Sequence, residues 1–262
     1  MRPVLFAFGG YEILAAPFFA GLAAIAAAIF VYRHREHARL TSEGYWDLML
    51  PMAVGTVAGG VLLYIVLYGG GPGQTLPKLM RTLRVSGGSF YGNLLGALAT
   101  VAFVCRRRGL SFRRVGDLVG AAAPLGLAVM RLGCFQHGCC YGRKTALPWA
   151  VVFSDPRSAV RRGLLNVPIH PTQLYEAALT ALLFAWVALW VLPRAEDGRL
   201  PAGSALLASV AGYAVVRFGI DFIRGGDRGI LRPGGLSTAQ FLSLLLAASA
   251  ALLWTRWNRE PA

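Results

Sequence analysis

The stretch AALTALLFAWVALWVL, residues 177–192, carries no charge and does not alternate apolar with polar positions. It extends back to Pro171, and similar runs recur at 11–32, 46–68, 87–105, 115–135, 202–223 and 236–254. A bilayer core about 30 Å thick is crossed by roughly 20 apolar residues in a helix. The other structure that satisfies its backbone in lipid, the closed barrel, needs strands that alternate. The pattern therefore predicts an all-α polytopic membrane protein with about seven transmembrane helices. With no fixed-period repeat, linker or low-complexity tract, residues 1–262 read as one domain.

Composition agrees. The 262 residues are 56% hydrophobic and 15% charged, whereas soluble domains carry about a quarter charged residues. The net charge of +14 would raise nucleic acid for a soluble chain. Here the arginines fill short gaps between apolar runs, and no basic helix or aromatic-basic motif accompanies them, so no nucleic-acid partner is expected. Membrane lipids are the expected surroundings of the basic residues.

Only Arg2 precedes the first run, while Arg33, Arg35 and Arg39 follow it. A cleaved signal peptide has its positive charge first, so this run reads as a retained helix with its N-terminus outside. Alternation then puts Arg106–Arg108, Arg113, Arg114, Arg194, Arg199, Arg256 and Arg259 inside, and the C-terminus with them. The outside segments are as rich in basic residues as the inside ones, an excess that an anionic ligand at the outer face would explain. The segment 136–170, with Pro148, Trp149, Pro156 and Pro168, is too polar to span and too long for a turn. It is expected to fold as a cap on the outer face.

Charged groups within membrane helices cost about a few kcal/mol each and mark sites. Arg131, Glu176, Arg217 and Asp221 stand in such positions. Arg217, Asp221 and Arg224 follow at i, i+4 and i+7, which places them on one helix face. A structural Arg217–Asp221 salt bridge is one reading. The other is a positive cluster, with Arg131, that captures phosphate through guanidinium forks. Gly87 and Gly88 would allow close backbone approach to a ligand or to another helix, and Tyr91 and Asn93 supply polar tips at that depth. Cys134, Cys139 and Cys140 cluster around His137. A second ligand pair is missing, although His170 could contribute, so a metal is the lesser reading and none is expected; a disulfide among these outer-face cysteines or inert packing thiols are the other readings. No clear C-x-x-C redox motif occurs.

The blocks GGSFYGNLLG (87–96), MRLGCFQHGCCYGR (130–143), HPTQLYE (170–176), RFGIDFIRGGD (217–227) and STAQFLSLLL (237–246) resemble, in order, those of the bacterial phosphatidylglycerol–prolipoprotein diacylglyceryl transferase family. The resemblance implies a multi-pass inner-membrane enzyme. It would move the diacylglyceryl group of phosphatidylglycerol to the lipobox cysteine thiol of prolipoproteins, forming a thioether and releasing glycerol 1-phosphate. Its partners would be phosphatidylglycerol and prolipoprotein signal peptides, and no cofactor is implied. Arg131 would bind the lipid phosphate and Arg217 would steady the leaving phosphate. Glu176, Tyr91 and His170 are candidates for the base, while Arg224, Asp221, Gln173, Tyr175, Gly142, Gly87, Gly88 and Asn93 would line the substrates.

This chain departs from the family pattern at several points. Cys134 stands where asparagine is common, Cys139 replaces an acidic residue, Tyr91 a histidine, and Asp221 a glutamate. A tyrosine of the first helix has no counterpart near Ala15–Pro17. The alternatives are a different acceptor on the same lipid site, or a membrane thiol-redox or metal-binding protein built on the three cysteines.

Overall fold

The computed structural model describes residues 1–68, 90–225 and 235–259, with the side chains of 67, 68, 90 and 91 excepted. Among the described residues seven long helices dominate, as the hydropathy predicts: α1 Ala15–Arg33, α2 Ser42–Tyr68, α3 Phe90–Arg108, α4 Phe112–His137, α5 Thr172–Glu196, α6 Ser204–Asp221 and α7 Thr238–Trp257. By length and composition six of them can cross a bilayer. The remaining one, α3, ends in Arg106, Arg107 and Arg108, which shorten its apolar run. Outward positions on the helices remain apolar: Val215 is 70% and Leu189 76% exposed, as expected where lipid is the solvent.

The N-terminus differs from expectation. Residues 11–14, read as the start of the first span, instead form β2 (Tyr11–Leu14), antiparallel to β1 (Val4–Phe8). Gly9 and Gly10 both take positive φ, +56° and +83°, which is the demand of a tight two-residue hairpin turn. The Gly-Gly pair between two short apolar runs was the available signal.

The chain forms two compact units. One comprises Val31–Val115 and holds α2 and α3; the other comprises Met1–Phe30 and Gly116–Ala262. In the first, Gly55 and Gly59 of α2 face Gly92 and Gly96 of α3 so closely that an added Cβ at any of the four would strike the opposite helix. Small residues four apart let membrane helices meet backbone to backbone, where van der Waals contact replaces the absent hydrophobic drive.

In the second unit, α4, α5 and α6 pack around Ala121, Leu183, Val187, Val191, Leu192 and Ala205. Gly120 presses on the backbone of Leu206, and Gly212 on Leu183. A π-turn, Val187–Val191, interrupts α5. Asp117, fully buried, accepts hydrogen bonds from the backbone N–H groups of Gly203 (2.7 Å), Ala205 (2.7 Å) and Leu206 (3.3 Å). A carboxylate from α4 thus caps α6, satisfying donors that a helix start leaves orphaned. The segment between α4 and α5 is a folded cap, as expected. Tyr141, Phe153, Val160 and Ile169 make its core, and Ile169 bridges to both Lys144 and Val151.

Candidate lipid-phosphate site

The site forms where α4, α5 and α6 end beneath the cap. Arg131, 8% exposed, sits in the last two turns of α4, which ends at His137. Its Nη2 lies 2.8 Å from Oε1 of Glu176, the residue in the first turns of α5 that is 1% exposed. The same Oε1 accepts the Tyr213 hydroxyl of α6 at 3.0 Å. One turn on, Arg217 Nη2 meets Asp221 Oδ1 at 3.2 Å. The Ser237 hydroxyl donates to Asp221 Oδ2. Ser237 also forms a reciprocal capping box with Gln240, which starts α7 at this point. Three helices and the head of a fourth therefore converge through buried charge.

Both arginines keep an unanswered N–H, although Arg131 Nη1 also approaches Cys134 Sγ at 3.9 Å. Arg131 Nε and Arg217 Nη1 are buried and have no hydrogen-bond partner among the described residues. Buried donors are ordinarily satisfied, so two such N–H groups in one unit point to an anionic ligand.

Arg224 departs from the helix-face expectation. Helix α6 stops at Asp221, and Arg224 lies beyond it in an extended segment paired with Gly142. The i+7 relation fails because the chain unwinds there to join the cap: Arg143 N donates to Ile223 O at 2.9 Å, and Gly225 N to Tyr141 O at 3.0 Å. On the other side Gly142 N donates to His170 O at 3.0 Å. A Cβ on Gly142 would collide with His170, which explains glycine there. Nor is the cluster as uncompensated as its arginines alone suggest, since Glu176 and Asp221 answer two of them.

The remaining expected residues divide. Gln173, fully buried, donates to Cys139 O at 2.7 Å, and Thr172 to Cys140 O at 2.7 Å. Tyr175 accepts from Trp149 Nε1 at 2.7 Å and meets the His170 ring edge-on, 6.2 Å between centroids. His170 Nδ1 is buried with no partner among the described residues. Asn93 belongs to the α2–α3 unit, its amide oxygen buried and likewise without a described partner. Gly87, Gly88 and the Tyr91 side chain lie outside the described residues.

Cys134, Cys139 and Cys140 are free thiols, their sulfurs all within 4.8 Å of one another. Hydrogen bonds from Cys134 and Cys139, then the charges of Arg131 and Arg224, pull the Cys140 thiol well below the ordinary thiol range. Cys139, which shares its proton with Cys134 and Cys140, is pushed up.

Sequence reasoning missed Tyr213, Ser237 and Asp117. Tyr213 lies four residues before Arg217, on the same face, and that spacing was the signal. Ser237 with Gln240 spells a capping box immediately before an apolar run. Asp117 lies only two residues inside the 115–135 run, where a charge can face the headgroup layer and so does not stand out as one buried in lipid.

Residues 3–256 match the family described as prolipoprotein diacylglyceryl transferase. Phosphatidylglycerol–prolipoprotein diacylglyceryl transferase of Bordetella avium is 32% identical over 253 residues, covering 92% of each chain. That of Geobacter sulfurreducens is 34% identical, covering 90% of this chain and 88% of its own. That of Solidesulfovibrio magneticus is 36% identical over 218 residues, covering 82% and 77%.

Proposed function

Since the chain belongs to the prolipoprotein diacylglyceryl transferase family, we propose that it transfers a diacylglyceryl group from phosphatidylglycerol to the lipobox cysteine of prolipoproteins. The reaction takes place at the outer face of a bacterial inner membrane, in a chain oriented N-terminus out and C-terminus in. The observation that carries this reading is the pair of anchored arginines, each with a buried N–H left over.

The chemistry follows from that arrangement. The acceptor thiol loses its proton, and the thiolate attacks the glyceryl carbon and breaks the carbon–oxygen bond to phosphate, which leaves with that electron pair. Charge then accumulates on the departing glycerol 1-phosphate. Arg131, oriented by Glu176 and Tyr213, binds the phosphate; Arg217, steadied by Asp221, faces the charge that develops on it. Donors fixed before the reaction need no reorganisation as that charge appears. Glu176 acts here as a positioning residue, its Oε1 already holding two donors. Arg224 adds a third cation from the cap side.

The test is mass gain on a lipobox peptide incubated with phosphatidylglycerol and the full chain in bilayers. Wild type should add the diacylglyceryl mass and release glycerol 1-phosphate, and the chain should complement a strain lacking its lipoprotein transferase. A properly inserted chain that does neither would favour another acceptor.

A further inference from the structure

We propose that Cys134, Cys139 and Cys140 bind a thiophilic divalent cation, with Zn²⁺ as the type, leaving an open fourth position for the acceptor thiol. The second half of this statement rests on the transferase reading; the first does not.

The three cysteines are brought together by a built turn. Helix α4 ends at His137, and Gly138 (φ +81°) and Cys140 (φ +60°) both adopt the left-handed conformation. A side chain rarely accepts that conformation unless its surroundings hold it there. The turn brings Cys139 and Cys140 back over the last turn of the helix, against Cys134. Thr172 and Gln173, both buried, then fix the carbonyls of Cys140 and Cys139 at 2.7 Å each. The sulfurs lie within 4.8 Å of one another. Zinc–sulfur bonds of about 2.3 Å place coordinated sulfurs roughly 4 Å apart, a modest rotamer adjustment away. A disulfide would occupy only two of the three.

Among the described residues no other His, Cys, Asp or Glu joins this group. Structural zinc sites are closed by four protein ligands, whereas three with one position open is the catalytic arrangement. Three thiolates on a divalent ion leave one negative charge. Arg131 Nη1, 3.9 Å from Cys134 Sγ, is placed to donate to a ligand sulfur and balance that charge.

The site also lies beside the phosphate-binding arginine, where the acceptor must arrive. A thiol that takes the fourth position gives up its proton to solvent. The bound thiolate then supplies its electron pair to the glyceryl carbon. The carbon–oxygen bond breaks toward phosphate, and glycerol 1-phosphate leaves with that pair and takes up a proton. The thioether product is neutral, binds the ion weakly and departs. Nothing is oxidised or reduced. The metal in this way supplies an activated nucleophile without a strong side-chain base.

Cobalt(II) titration of the reduced full chain in nanodiscs tests the site. One equivalent should produce thiolate-to-cobalt charge-transfer absorption. Cys139→Ser should lose it with helical content unchanged, and Cys105→Ser should keep it. No band in wild type, or an equal band in Cys139→Ser, overturns the site. Stripping the metal with a chelator should then lower transferase activity by about tenfold or more, with recovery on adding Zn²⁺. Full activity in the stripped chain overturns the activating role and leaves the transferase reading intact. A chain that binds cobalt stoichiometrically, yet transfers nothing to any lipobox peptide, keeps the site and sinks the transferase reading.

Discussion

Arg131 shows how a residue's neighbours set its role. Position within an apolar run marked it, and the unsatisfied Nε gives that mark a chemical sense. Arg131→Ala should cut transfer by about a hundredfold or more, the loss typical of a donor aimed at developing charge. Arg131→Lys should recover only part of it, since an ammonium cannot hold Glu176 and a phosphate with one planar fork. Tyr213→Phe removes one hydrogen bond to Glu176 and should lower activity by about tenfold or less. Steady-state kinetics on the lipobox peptide checks all three. The arginines could be read from sequence because a charge in lipid is conspicuous. Tyr213 is harder to read, because a tyrosine within a membrane helix looks like any other amphipathic aromatic and only its spacing to Arg217 marks it.

At the scale of elements, periodicity and length gave the helices, and the misreadings lie at their ends. Residues 11–14 read as part of the first span because Tyr11, Ile13 and Leu14 lead into α1 with only Glu12 between them; Gly9–Gly10 marks the hairpin. Arg224 was placed on α6 because nothing before Gly225 stops a helix, whereas pairing with Gly142 ends it three residues earlier. The α2–α3 crossing is testable here. Gly59→Val would drive a branched side chain into the backbone of α3 and should destabilise the chain by about 1–3 kcal/mol, seen as earlier thermal unfolding in detergent. Asp117→Ala would leave the start of α6 with buried, unanswered N–H groups. It should cost about 2 kcal/mol or more, by the same measurement.

For the whole molecule, sequence supplied the seven long helices, six of them long and apolar enough to cross a bilayer, and a folded cap between α4 and α5, but not the division into two compact units. That division depends on which glycines face which helix, information that no single run contains. The membrane sidedness is checkable. Arg35 lies over Tyr32 (4.4 Å), Arg107 over Phe103 (5.4 Å) and Arg194 over Trp190 (3.6 Å), each at a helix end expected to face inward. Arginine paired with an aromatic ring suits the headgroup layer. A fluorescent reporter that matures only in the cytoplasm, fused after Ala262, should be bright, and a periplasmic alkaline phosphatase at the same point inactive. The reverse result would invert the topology.

The buried carboxylate of Asp117 has a mechanical consequence. It fastens α4 to the start of α6, while Arg131, Glu176 and Tyr213 fasten the same two helices near their other ends. A rod held at one point can swivel; held at two, it cannot. Arg131 and Arg217 are therefore expected to keep their spacing with or without a headgroup, so that the proposed recognition would resemble a key meeting a finished lock. A soluble glycerol phosphate should then bind with little conformational penalty, and calorimetry should find its heat capacity change small, since no helix has to settle into place.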